Sequence, residues 1–189
     1  MYIPIEIIKN PELSDEAVLT YTFVKIHTYS RYYESCLFTI PQIVDQIQGY
    51  TNSHGAYYRT SQALKELVEK GVLELVREDT TNWRVFMESF EDKGVQAEPS
   101  KLRDLVDCKA RKRATLVRYY LLLLANMSAS TKTCNKEGTW FARQLGVSPN
   151  SIATYNRYLE ELKIIYVHRP KGRYKSNICA RYEDRGRVR

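Results

Sequence analysis

Apolar positions change period along the chain in an order that occurs twice. Between residues 13 and 28, Ala17, Val18, Tyr21, Val24 and Ile26 recur at helical steps behind Ser14-Asp15-Glu16, a helix start. Cys36-Leu37-Phe38 is a short β-rich run, after which Thr39 caps a predicted helix carrying Ile43, Val44 and Ile47. A longer helix follows, burying Ala63, Leu64, Leu67 and Val68 and stopped by Gly71. Val72–Val76 and Trp83–Met87 then form a predicted hairpin around Asp79-Thr80-Thr81-Asn82. Residues 91–100 are polar, contain Gly94 and Pro99, and lack an apolar period, so they read as a seam. Lys101–Ser128 reads as one long helix or two short ones, with Leu102, Leu105, Val106, Leu116, Val117, Tyr120, Leu123 and Leu124 inward.

The segment Thr139–Leu159 has the most specific pattern. Ala142 is small where two helices must approach closely, and Gly146 stands where the first must end in a positive-φ residue. Ser148 suits an N-cap, with Pro149 at the first helical position, where its missing N–H costs nothing. Ile152, Tyr155, Leu159 and Leu162 then give one buried face. This is the pattern of a helix-turn-helix. Two β-rich runs around Pro170-Lys171-Gly172-Arg173 follow, a hairpin in the position of a wing. Helix, strand, helix, helix, hairpin is the order of both halves. The fold class expected is α+β, mainly α, with two winged helix-turn-helix domains in tandem: residues 1–94, a linker at 95–100, and residues 101–189 with a basic tail.

Charge sharpens this division. Residues 1–94 hold 9 Lys+Arg against 14 Asp+Glu, a net −5, while residues 95–189 hold 20 against 8, a net +12. The overall +7 therefore hides an acidic half joined to a basic one. A concentrated positive field attracts polyanions, nucleic acid above all. The expected DNA-binding residues are Ser148, Asn150, Ser151, Thr154 and Arg157 on the second helix of the motif. To these are added Arg169, Lys171, Arg173 and Lys175 at the wing tip, and the cluster Lys109, Arg111, Lys112 and Arg113. Their amides, hydroxyls and guanidinium groups suit base edges or phosphates. An ordinary solvated face is the bland alternative for all of them.

Catalytic signatures are missing from the sequence. There is no Gly-x-x-x-x-Gly-Lys-Ser/Thr loop, no His-Glu-x-x-His and no Gly-x-Ser-x-Gly, and His27, His54 and His168 lie far apart. Cys36, Cys108, Cys134 and Cys179 form no Cys-x-x-Cys pair, so reduced thiols are expected, with no metal and no cofactor. No apolar run approaches the ~18 residues that span a bilayer. A non-enzymatic, cytoplasmic protein without membrane contact is the expectation, and a homodimer stays open.

Tyr2-Ile3-Pro4, Ile8–Ser14, Leu37-Phe38-Thr39-Ile40 and Ala63–Leu73 resemble the N-terminal winged helix of replication initiators and replisome organisers from plasmids and phages of Gram-positive bacteria. The resemblance covers roughly residues 1–90. It implies double-stranded DNA binding through the second and third helices and a role at an origin of a mobile element, with replication proteins as partners of the acidic half. A transcriptional regulator on operator DNA fits the same residues, and a winged-helix adaptor that binds proteins is the third reading.

Overall fold

The computed structural model describes residues 1–29, 35–48, 54–79, 82–87, 94–108, 112–170 and 177–187. The fold is α+β and mainly helical. Contacts divide the chain into two units, Met1–Arg118 and Tyr119–Arg189, and the division falls inside a helix.

Unit 1 begins with β1 (Tyr2–Pro4), α1 (Ile5–Lys9) and α2 (Asp15–Tyr29). From Asp15 to Thr28 every residue of α2 is at least half-buried, which makes it the centre of the unit. A helix apolar nearly all round is one that other elements surround. Two of its buried threonines bond within the helix: Thr22 Oγ1 donates to the Val18 carbonyl at 2.8 Å and Thr28 Oγ1 to that of Val24 at 3.2 Å. After β2 (Ser35–Thr39) comes α3 (Ile40–Gln48). The Thr39 hydroxyl accepts from the Gln42 N–H at 3.2 Å and Gln42 Oε1 accepts from the Thr39 N–H at 2.9 Å, a reciprocal capping box. Next is α4 (His54–Glu69), closed by Gly71 at φ +66 with Val72 N–H on the Leu67 carbonyl at 2.8 Å. Ala63, Leu64 and Leu67 are buried as expected, but Val68 is 39% exposed. The expected hairpin forms from β3 (Leu73–Arg77) and β4 (Asn82–Met87), and β2 pairs with β4, giving an antiparallel sheet of order β2-β4-β3.

The expected linker is part of this unit. Gly94–Gln96 forms β5, antiparallel to β1, with Ile3 opposite Val95. A Cβ on Gly94 would stand 3.0 Å from Tyr2 Cδ1 and 3.3 Å from the Ile3 carbonyl oxygen, so a side chain here would crowd β1 and push its neighbours by a few tenths of an ångström. Pro99 then opens α5 (Pro99–Val106), whose Leu102, Leu105 and Val106 are buried and which packs on α2. α6 (Arg113–Ala125) follows, and its first turns belong to unit 1. The buried Arg118 guanidinium donates to the carbonyls of Ile8 (3.1 Å), Asn10 (2.6 Å) and Leu13 (2.7 Å) and to Asp15 Oδ1 (3.1 Å). Asp15 also accepts from Thr115 Oγ1 at 2.6 Å. A polar, glycine- and proline-bearing stretch imitates a linker because a three-residue strand has no legible period.

Unit 2 holds the rest of α6, then β6 (Thr133–Cys134), α7 (Gly138–Leu145), α8 (Pro149–Glu161), β7 (Ile165–His168), β8 (Ile178–Arg181) and a 3-10 turn at Tyr182–Arg187. Tyr119–Leu124, Phe141, Ala142, Ile152, Tyr155, Leu159, Ile164, Ile165, Val167, Cys179 and Ala180 form its core. Leu162, expected inside, is 36% exposed. The sheet is antiparallel with order β6-β8-β7, so both units share one element order and one strand order. His168 pairs with Ile178, and Lys171, Gly172 and Arg173 of the expected turn lie outside the described residues.

The new boundary redistributes the charge. Unit 1 holds 16 Lys+Arg against 17 Asp+Glu, and unit 2 holds 13 against 5. The contrast is −1 against +8, not −5 against +12.

Candidate nucleic-acid interface

The junction of α7 and α8 is built as the sequence pattern demands. α7 ends at Gly146, φ +61, with Gly146 N–H on the Arg143 carbonyl (3.4 Å) and Val147 N–H on that of Ala142 (3.0 Å). These are the paired bonds of a Schellman cap. Two residues later Ser148 Oγ accepts from the Ser151 N–H at 3.3 Å and Pro149 occupies the first position of α8. Ala142 is buried, and Ile152 of α8 lies against Gly138, where an added Cβ would meet its Cγ2 at 3.6 Å.

α8 buries Ile152, Tyr155, Asn156 and Leu159. At 3.6 residues per turn, Asn150, Ala153, Thr154, Arg157 and Glu161 fall within an arc of roughly 100° opposite that face. Four of the five are exposed and Thr154 is half-exposed. From Pro149 to Leu159 the helix carries no acidic residue, and its N-terminus adds the positive end of the helix dipole. Within the stripe, Thr154 Oγ1 donates to the Asn150 carbonyl at 3.1 Å. Arg157 Nε lies 3.9 Å from Glu161 Oε1, with both side chains more than 60% exposed. An exposed pair of this spacing is worth about 0.3–0.5 kcal/mol, so a phosphate or a base draws Arg157 away at little cost.

No known family model matches the sequence, and no curated protein is similar to it.

The remaining expected site residues are distributed unevenly. Ser148 and Ser151 are consumed locally, their hydroxyls 3.0 Å apart in the cap. Arg169 is the first residue after β7, at the loop end of the hairpin. Both its Nη atoms donate to the two oxygens of Glu160, and Nη1 also reaches the Val167 carbonyl at 3.1 Å. Glu160 Oε1 accepts from the Val167 N–H as well, at 3.2 Å, so this pair latches the end of α8 to β7. The Glu160 carboxylate holds the Arg169 guanidinium above its ordinary pKa. Arg113 is half-buried in unit 1, donates to the Cys108 carbonyl at 3.3 Å, and has its pKa lowered by burial. It is a structural arginine, and an isolated basic cluster read from sequence does not reveal such a partner. Lys112 is exposed. Lys109, Arg111, Lys171, Arg173 and Lys175 lie outside the described residues.

Two features of the site escaped the sequence reading. Ala153 is exposed at one edge of the stripe and is absent from the expected site residues. Asn156, on the opposite face, is buried and accepts from the Tyr119 hydroxyl at 2.6 Å, fixing α8 to α6 within unit 2. Burial pushes the Tyr119 phenol well above its ordinary pKa. A lone Asn at an apolar helical position is the signal that marks such a partner.

Proposed function

We propose that both units are winged helices and that the protein is a sequence-specific double-stranded DNA-binding protein that engages DNA through unit 2. The observation that carries this reading is the exposed stripe of α8, free of acidic residues from Asn150 to Arg157 and held opposite the core by a Schellman turn and a capped, proline-led N-terminus, in a unit of net charge +8. A helix placed so enters a major groove with its first turns at the base edges, while the hairpin that follows supplies phosphate contacts. Asn150, Thr154 and Arg157 address the bases. Lys171, Arg173 and Lys175 supply the charge of the wing. Unit 1, nearly neutral overall, is the partner-binding half, and its likeness to plasmid and phage initiators favours an origin over an operator as the target. No catalytic step is assigned.

Binding of the full chain to a duplex, followed against salt, tests this. Lys171→Ala together with Arg173→Ala flattens the slope of log K against log salt by about one to two units, since each neutralised phosphate contributes about 0.9. Arg157→Ala costs about 1–3 kcal/mol on the selected site and less on random DNA. A protein that ignores duplex DNA at low salt, or a salt slope unmoved by the double substitution, defeats the reading.

A further inference from the structure

The exposed stripe of α8 has a chemical composition of its own. Asn150, in the first turn, presents a carboxamide, which is the side chain that pairs bidentately with adenine at N6 and N7. Ala153 offers a bare methyl group, and the Thr154 hydroxyl donates to the Asn150 carbonyl at 3.1 Å, so Thr154 has its methyl and an acceptor oxygen, but no donor, left for a ligand. Alanine and threonine methyls are the groups that pack on the C5-methyl of thymine. No donor fork or carboxylate that would select guanine or cytosine lies among these three residues. Arg157 and Glu161 come further down the helix, paired with each other.

We infer that the first turns of α8 read adenine–thymine pairs, with Asn150 on an adenine and Ala153 and Thr154 on thymine methyl groups. The inference rests on the reading of unit 2 as a duplex-DNA-binding domain. The four helical steps from Asn150 to Thr154 advance about 6 Å. Base pairs follow one another every 3.4 Å, so the patch spans about two to three consecutive A·T pairs. Arg157 then falls beyond this core, at its edge or on the flanking phosphate.

The experiment selects duplexes from a random pool with the full chain, then modifies the winning duplex one base at a time. Uracil in place of thymine removes only the C5-methyl, and 7-deazaadenine in place of adenine removes only N7. The expected outcome is a core of two or three A·T pairs. Within it at least one thymine-to-uracil change weakens binding about fourfold, the worth of one buried methyl. One 7-deazaadenine change also weakens binding, and Asn150→Ala removes that sensitivity. Ala153→Gly removes the uracil sensitivity at one position. Because the modified duplexes test the unaltered protein, a poorly folded variant does not blunt the result. An enriched duplex with a G·C core, or one indifferent to both modifications, overturns the inference and leaves DNA binding standing. No enrichment at all overturns both.

Discussion

Tyr119→Phe removes one oxygen atom from unit 2 and strips Asn156 Oδ1, 2.6 Å away, of its donor. The ring contacts survive, since phenylalanine keeps the edge-on approach to Phe141 (5.3 Å between centroids, 89°) and the tilted contact with Tyr155 at 5.8 Å. Both partners are buried, Tyr119 at 1% exposure and Asn156 at 7%, so water cannot replace the lost bond. An unsatisfied buried polar group costs about 1–3 kcal/mol, and the same range holds for Asn156→Leu, which orphans the phenol instead. Replacing both residues together leaves no orphan and is expected to be close to neutral. The two single losses therefore fail to add, and the coupling equals their sum, about 2–6 kcal/mol. Urea unfolding of the four proteins measures it, read through Trp140 fluorescence in a Trp83→Phe background so that the signal comes from unit 2. Additive losses, or a double variant no better than the worse single one, would refute the argument that this bond is what secures α8 from behind. DNA affinity should follow stability in the single variants and recover in the double.

Lys163 closes α8 with φ +54, where Ile164 N–H bonds the Leu159 carbonyl at 2.9 Å, the position that Gly71 occupies after α4. Lys163→Gly relieves a left-handed side-chain-bearing residue and should raise unit 2 stability by about 0.5–1 kcal/mol, seen as a higher urea midpoint; an unchanged or lower midpoint rejects it. Burial pushes the Cys179 thiol up to about 12, so the folded state keeps this proton to higher pH than the unfolded chain does. Its stabilisation is complete below about pH 9 and is lost as pH rises toward 12, at up to about 1.4 kcal/mol per pH unit. Cys179→Val should flatten the decline of the urea midpoint between pH 9 and 10.5, and an equally steep decline in the variant removes the thiol as its cause.

The parts of the fold written in local chemistry were readable, and the parts written in distant pairing were not. Thr39 with Gln42, Gly71, and the run Gly146-Val147-Ser148-Pro149 each act within a few residues, so the sequence alone located the helix ends. β5 depends on β1, ninety residues away, and α5 on α2, and nothing in 94–106 announces either partner. The charge arithmetic inherited that error, because residues 95–118 carry seven more Lys+Arg into unit 1 than the seam suggested. In the site, the face of α8 followed from helical spacing, as did Asn150, Thr154 and Arg157 upon it. The partners of Arg169 and Arg113 were not legible, because a cation in a list of cations looks free until Glu160 or the Cys108 carbonyl is seen against it.

Neighbouring residues Arg118 and Tyr119 serve different units from consecutive positions on α6. For the genetics of this protein that means the natural place to shuffle modules is missing. A crossover at 94 or 100, where the composition invites one, would take β5 or α5 from the half that needs it, and a crossover at the true boundary would splice within a helix. Exchange of whole halves among relatives should be rare, and surviving recombinants should carry α6 from a single parent.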